Sequence, residues 1–84
     1  MKVLIRQIES FMTEQMIDID LEFPDKITSS FLNELQEKFD DDDYELVGEY
    51  KMLERISYDA CEIYDENGKQ LIRPRDGIYA GLCN

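Results

Sequence analysis

The chain has 84 residues, 43% of them apolar, enough for one core but not two, because a domain this small buries only about 60% of its unfolded surface. Twenty Asp and Glu oppose nine Lys and Arg, and the net charge of −11 excludes an ordinary nucleic-acid binder, which needs cations against phosphate. Histidine is absent, which removes every mechanism that depends on an imidazole base, nucleophile or zinc ligand.

At the N-terminus, Lys2 and Arg6 flank an apolar run that extends only from Val3 to Ile5, so no signal peptide is expected there. No stretch approaches the roughly 18 apolar residues of a membrane span. The sequence therefore reads as a soluble, cytoplasmic protein with no membrane partner. The segment Val3 to Ile8 is rich in β-branched residues and predicts a strand. Glu9 to Glu14 reads as a connecting loop. From Met16 to Phe23 the pattern alternates, with Ile17, Ile19, Leu21 and Phe23 on one side and Asp18, Asp20 and Glu22 on the other, which predicts a half-buried strand with an acidic outer face.

Pro24 and Asp25 end that strand, and the period then changes. Ile27, Phe31, Leu35 and Phe39 recur at steps of four, with Leu32 beside them, so one amphipathic helix is expected over 27–39. Asp25 or Thr28 would be its N-cap. The run Asp40 to Asp43 follows directly, where negative charge opposes the helix dipole. A loop is expected there, and replacing the run by Asn is expected to stabilise the fold.

From Tyr44 to Ala60 the even positions hold Tyr44, Leu46, Tyr50, Met52, Ile56, Tyr58 and Ala60, a period of two that predicts two strands broken near Leu53 to Arg55. A second helix through Tyr50, Leu53, Ile56 and Ala60 is the alternative. Tyr50 and Tyr58 are expected in the core; Tyr44 and Tyr64, flanked by acids, fit either a core rim or an interface. Glu62 to Arg73, centred on Asn67-Gly68, predicts a hairpin with a type I′ turn, in which both central residues have positive φ. Pro74 ends the last strand, and residues 73–84 read as a loosely held tail anchored by Ile78, Tyr79 and Leu82. The expected fold is α+β, a small antiparallel sheet in the order β-β-α-β-β-β with one helix on one face of a single domain, 1–84.

Charge is distributed unevenly along this order. Residues 9–66 carry a net −15, whereas the segments 1–8 and 67–84 are each +2. Asp40 to Glu45 fails as a calcium loop, because a register begun at Asp40 or Asp41 puts Glu45 or Leu46 at the glycine position and Lys51 or Met52 at the bidentate glutamate. Cys61 and Cys83 lack metal-binding spacing, and two separate thiols are expected. No phosphate-binding glycine loop or nucleophile motif is present. The sequence therefore predicts no enzyme, no catalytic residue, no metal and no cofactor.

The acids remain as candidate partner-binding residues: Asp18, Asp20 and Glu22 from the strand, and Asp40, Asp41, Asp42, Asp43 and Glu45 from the loop, with Tyr44 and Tyr64 as aromatic anchors. Alternate strand residues lie about 6.6 to 6.8 Å apart, a spacing comparable to successive phosphates of a nucleic-acid strand. In size, acidity and lack of catalytic residues the chain resembles the small viral inhibitors that imitate nucleic acid, such as the uracil-DNA glycosylase inhibitor and several anti-CRISPR and anti-restriction proteins. That resemblance is compositional and covers no aligned stretch. It implies a phage-encoded inhibitor that blocks the basic groove of a nucleic-acid-binding protein or nuclease, as a monomer or weak homodimer, without touching nucleic acid itself. The alternatives are an immunity or antitoxin protein against a nuclease toxin and an acidic structural or adaptor domain whose charge serves solubility.

Overall fold

The N-terminal strand lies at the centre of a five-stranded antiparallel sheet. The computed structural model describes residues 1–8, 11–55 and 60–81. Its elements are β1 (Lys2–Ile8), β2 (Phe11–Asp18), α1 (Ser29–Asp40), β3 (Glu45–Arg55), β4 (Ala60–Tyr64), β5 (Gln70–Ile72) and a 3₁₀ turn (Pro74–Asp76). The strand order across the sheet is β3-β2-β1-β4-β5. The α+β class and the element order are those the hydropathy pattern predicts. None of the described helices is long and apolar enough to cross a membrane.

One face of the sheet carries the core. Val3 and Ile5 of β1, Ile17 of β2, Cys61 and Ile63 of β4 and Ile72 of β5 pack with Phe31, Leu35 and Phe39 of α1. Those helix residues are the positions that the step of four singled out, and they form one stripe along α1. Thr28 is the N-cap, its Oγ1 accepting a hydrogen bond from the Phe31 N–H at 3.2 Å. Ile78 and Ala80 complete the core from beyond the 3₁₀ turn.

Three elements depart from the sequence reading. First, β2 begins at Phe11, inside the expected loop, and ends at Asp18, well before Phe23. Its early part was hidden because two inward positions are polar. Thr13 and Gln15 are 1% and 3% exposed. The Thr13 hydroxyl donates to the Gln7 carbonyl at 3.3 Å, and Gln15 Nε2 donates to the carbonyls of Met16 and Val47 at 3.0 and 3.1 Å. The strand ends early because β1 ends: Ile19 N–H donates to the Met1 carbonyl at 2.9 Å, and Leu21 N–H then turns back to the Ile19 carbonyl at 2.9 Å. This three-residue turn centred on Asp20 breaks the expected row of Asp18, Asp20 and Glu22.

Second, the two expected strands are present as β3 and β4, but β3 runs through Arg55, with a shift of register against β2 between Met52 and Arg55 in place of a break, and its described apolar side chains do not enter the core. Leu46, Tyr50 and Met52 are all exposed, which corrects the core assignment of Tyr50. The reason is topological: β3 is the sheet edge, and none of its described side chains belongs to the buried cluster. Tyr58 lies outside the described residues. Register shifts interrupt the β2–β3 ladder, and one spans Gly48, whose φ of +78° favours glycine.

Third, the β4–β5 turn is not type I′. Gly68 has φ +86°, whereas Asn67 is not among the positive-φ residues. Gly68 N–H donates to the Asp65 carbonyl at 3.1 Å, and Asp65 N–H donates to the Lys69 carbonyl at 2.9 Å. Asp65 Oδ1 accepts from the N–H groups of both Asn67 and Lys69 at 2.9 Å. This is a type I turn followed by a glycine bulge, selected by the aspartate side chain, which holds the loop from within.

Where a loose tail is expected, residues 73–81 are tied to the body. Tyr79 N–H donates to Gln36 Oε1 at 3.0 Å, Gln36 Nε2 donates to the Tyr79 carbonyl at 2.9 Å, and Ala80 N–H donates to buried Gln7 Oε1 at 3.0 Å. Tyr79 is exposed, its backbone making both contacts with Gln36, and Leu82 lies outside the described residues.

Candidate functional site

The end of β2 and the loop between α1 and β3 meet at one corner of the molecule. There, Asp18, Asp20, Asp42, Asp43, Tyr44 and Glu45 line an open basin of about 440 Å³ together with Met1. The β2–β3 pairing forms this corner, since Asp18 is the register partner of Glu45. Residues more than twenty positions apart in the chain thus present their carboxylates to a shared volume of solvent.

Two cations answer these acids. The Met1 amino group contacts Asp18 Oδ1 at 3.1 Å and donates to the Ile19 carbonyl at 2.9 Å. Lys38, one turn back in α1, reaches Asp43 Oδ2 at 2.9 Å, and that hydrogen bond raises the lysine pKa above its ordinary value. Neither contact was visible in the sequence, although Lys38 is the basic residue in the helix's last turn, where the dipole favours it. Asp20, Asp42 and Glu45 are exposed and have no cation within ion-pairing distance among the described residues.

Tyr44 forms the apolar floor. It is half-buried, with its ring edge-on to Phe39 at 5.7 Å between centroids. Partial burial, followed by the charge of Asp42, raises its hydroxyl pKa, so the phenol remains a neutral donor or acceptor at the basin's edge.

The other expected residues lie elsewhere. Glu22 is exposed beyond the turn at Asp20; Asp40 accepts from Gln36 Nε2 at 3.0 Å; Asp41 caps α1, its N–H donating to the Glu37 carbonyl at 2.9 Å. Tyr64 belongs to the sheet face opposite the helix, where its hydroxyl donates to Glu62 Oε2 at 2.8 Å and the Arg6 guanidinium lies 5.4 Å from its ring centroid. Arg6 also grips Glu14, with Nε and a terminal nitrogen 2.9 and 2.8 Å from Oε1. Tyr64 is therefore part of a satisfied polar network and not of the acidic corner.

Among the described residues no three Cys, Asp or Glu side chains converge closely enough to hold a metal ion. The basin offers separated carboxylates around open solvent, an arrangement suited to several cationic side chains of a partner. No protein family, curated protein or solved structure matches the chain.

Proposed function

We propose that this protein is a non-enzymatic acidic inhibitor that inserts the Asp18–Asp20 and Asp42–Glu45 corner into the basic groove of a nucleic-acid-binding protein or nuclease, excluding nucleic acid by competition. The observation that carries this reading is the convergence of two distant acidic segments on one open basin. Like charges gathered in this way cost stability by mutual repulsion, and a basic groove relieves that cost. The same field steers association, raising the on-rate toward a cationic partner. Such an inhibitor acts in the cytoplasm, beside its target, as anti-restriction and anti-CRISPR proteins of phages do.

The test separates the location of charge from its amount. Asp20→Lys/Asp42→Lys/Glu45→Lys changes the basin, while Glu22→Lys/Glu34→Lys/Glu37→Lys changes net charge equally at exposed positions outside it. Immobilised wild-type protein is expected to capture a nucleic-acid-binding protein from nuclease-treated bacterial lysate, and excess duplex DNA should elute it. The basin variant should lose the capture and the control variant retain most of it. A partner that resists elution by DNA, or equal loss in both variants, would overturn the reading.

A further inference from the structure

β3 is an edge strand, so the backbone N–H and C=O groups on its outer side have no neighbouring strand in the sheet. It also carries an uncovered apolar stripe, with Leu46, Tyr50 and Met52 exposed by 64%, 46% and 59%. Register puts Leu46 opposite Ile17 and Met52 opposite Thr13, both buried on the helix side. Antiparallel partners share a face, so the stripe lies on the helix side but beyond the helix's reach. Tyr50, two positions before Met52, shares that side.

Within the strand, Glu49 and Lys51 flank Tyr50 with opposite charges. We propose that the protein pairs with a second copy of itself along β3, antiparallel, about a two-fold axis through Tyr50. In that register Glu49 lies opposite Lys51 of the second copy. The two-fold axis makes this pairing twice. Moving the axis one residue sets Glu49 against Glu49 or Lys51 against Lys51, and like charges directly opposite are unfavourable. The charges that would repel a foreign strand of arbitrary sequence thus select this strand's own copy in a single register.

Leu46, Tyr50 and Met52 lie on the helix side in each copy, so both apolar stripes lie on one face of the resulting continuous sheet. Tyr50 meets Tyr50 at the axis, with Leu46 and Met52 of each copy beside them, and the patch that is uncovered in one chain becomes the floor between two helices. Both exposed features, the open edge and the stripe, are closed by the same partner.

Sedimentation equilibrium of the full chain at physiological salt tests the pairing. The wild type is expected to pass from monomer to dimer with concentration. Lys51→Glu should raise the dimer dissociation constant at least tenfold, and Glu49→Lys/Lys51→Glu should restore it, because the pair is exchanged and retained. Register is read separately by cysteine cross-linking in a Cys83→Ser background. Tyr50→Cys should form a disulfide-linked dimer under mild oxidation, since residues directly opposite have Cβ atoms about 4.5–5.5 Å apart. Glu45→Cys should not. A monomer at every concentration, a dimer indifferent to Lys51→Glu, or cross-linking as ready through position 45 as through 50 would overturn the proposal.

Discussion

Cys61 illustrates how one small residue couples this fold to pH. It is 1% exposed in β4, and burial, aided by the neighbouring charge of Glu62 and opposed by a backbone hydrogen bond at Ala80, pushes its thiol from an ordinary 9.0 up to about 12. The folded chain therefore holds a proton that the unfolded chain releases earlier. The resulting stability is complete below pH 9 and is lost as pH rises toward 12, at a slope of up to about 1.4 kcal/mol per pH unit. Tyr44 and Tyr64, both raised chiefly by burial, add in the same direction at the alkaline end. Urea unfolding between pH 8 and 11 should show stability falling more steeply in the wild type than in Cys61→Ala, whose lower baseline leaves the comparison of slopes intact. Parallel slopes would show that the thiol ionises as readily in the folded chain as in the unfolded one. At the same scale, Gln7, Thr13 and Gln15 show why burial was only partly legible: each is polar, and each is buried because a specific backbone group meets it, which hydropathy does not encode.

Among the elements, the segments read most faithfully are those whose signal is local. The α1 stripe and its Thr28 cap, the β1 strand and the position of the last hairpin all follow from neighbouring residues. The limits of β2 and the exposure of β3 depend on what lies beside them, and strand order is a property of the whole chain. The acidic corner falls between these cases: the acidity of both segments is plain in the sequence, but their meeting depends on β2–β3 pairing, and the turn at Asp20 removes Glu22. The aspartate run past α1 likewise divides by position. Asp42 has φ +53°, a left-handed conformation for which Asn is better suited, and its charge opposes the helix dipole. Asp43 is paired with Lys38. Asp42→Asn should therefore stabilise the protein by about 0.5–1 kcal/mol, whereas Asp43→Asn, which removes an exposed ion pair, should bring no gain or a small loss. Thermal unfolding of the two variants checks this, and equal gains would show that the Lys38 contact contributes nothing. In place of the uniform gain expected for the run from sequence, a gain is expected at Asp42 and none at Asp43.

At the scale of the whole molecule, a net charge of −11 acts over distances longer than any single contact, and ionic strength is the variable that sorts its consequences. The Debye length falls from about 30 Å at 0.01 M to about 8 Å at 0.15 M, so added salt removes repulsion between distant charges before it weakens ion pairs in contact. Two copies approaching along β3 bring two strongly negative bodies together, while the charges at the seam itself are complementary and adjacent. Raising salt over this range should therefore tighten self-association. Docking of the acidic corner into a basic groove has the opposite dependence, because there the long-range interaction is attractive and screening weakens it. Dimer dissociation constants from sedimentation and target affinities from surface plasmon resonance, each measured across the same salt series, should move in opposite directions. A target affinity independent of salt would point away from the acidic corner and toward an apolar contact. Self-association that weakens with salt would mean that attraction between distant opposite charges, and not a locally balanced β3 seam, brings the two copies together.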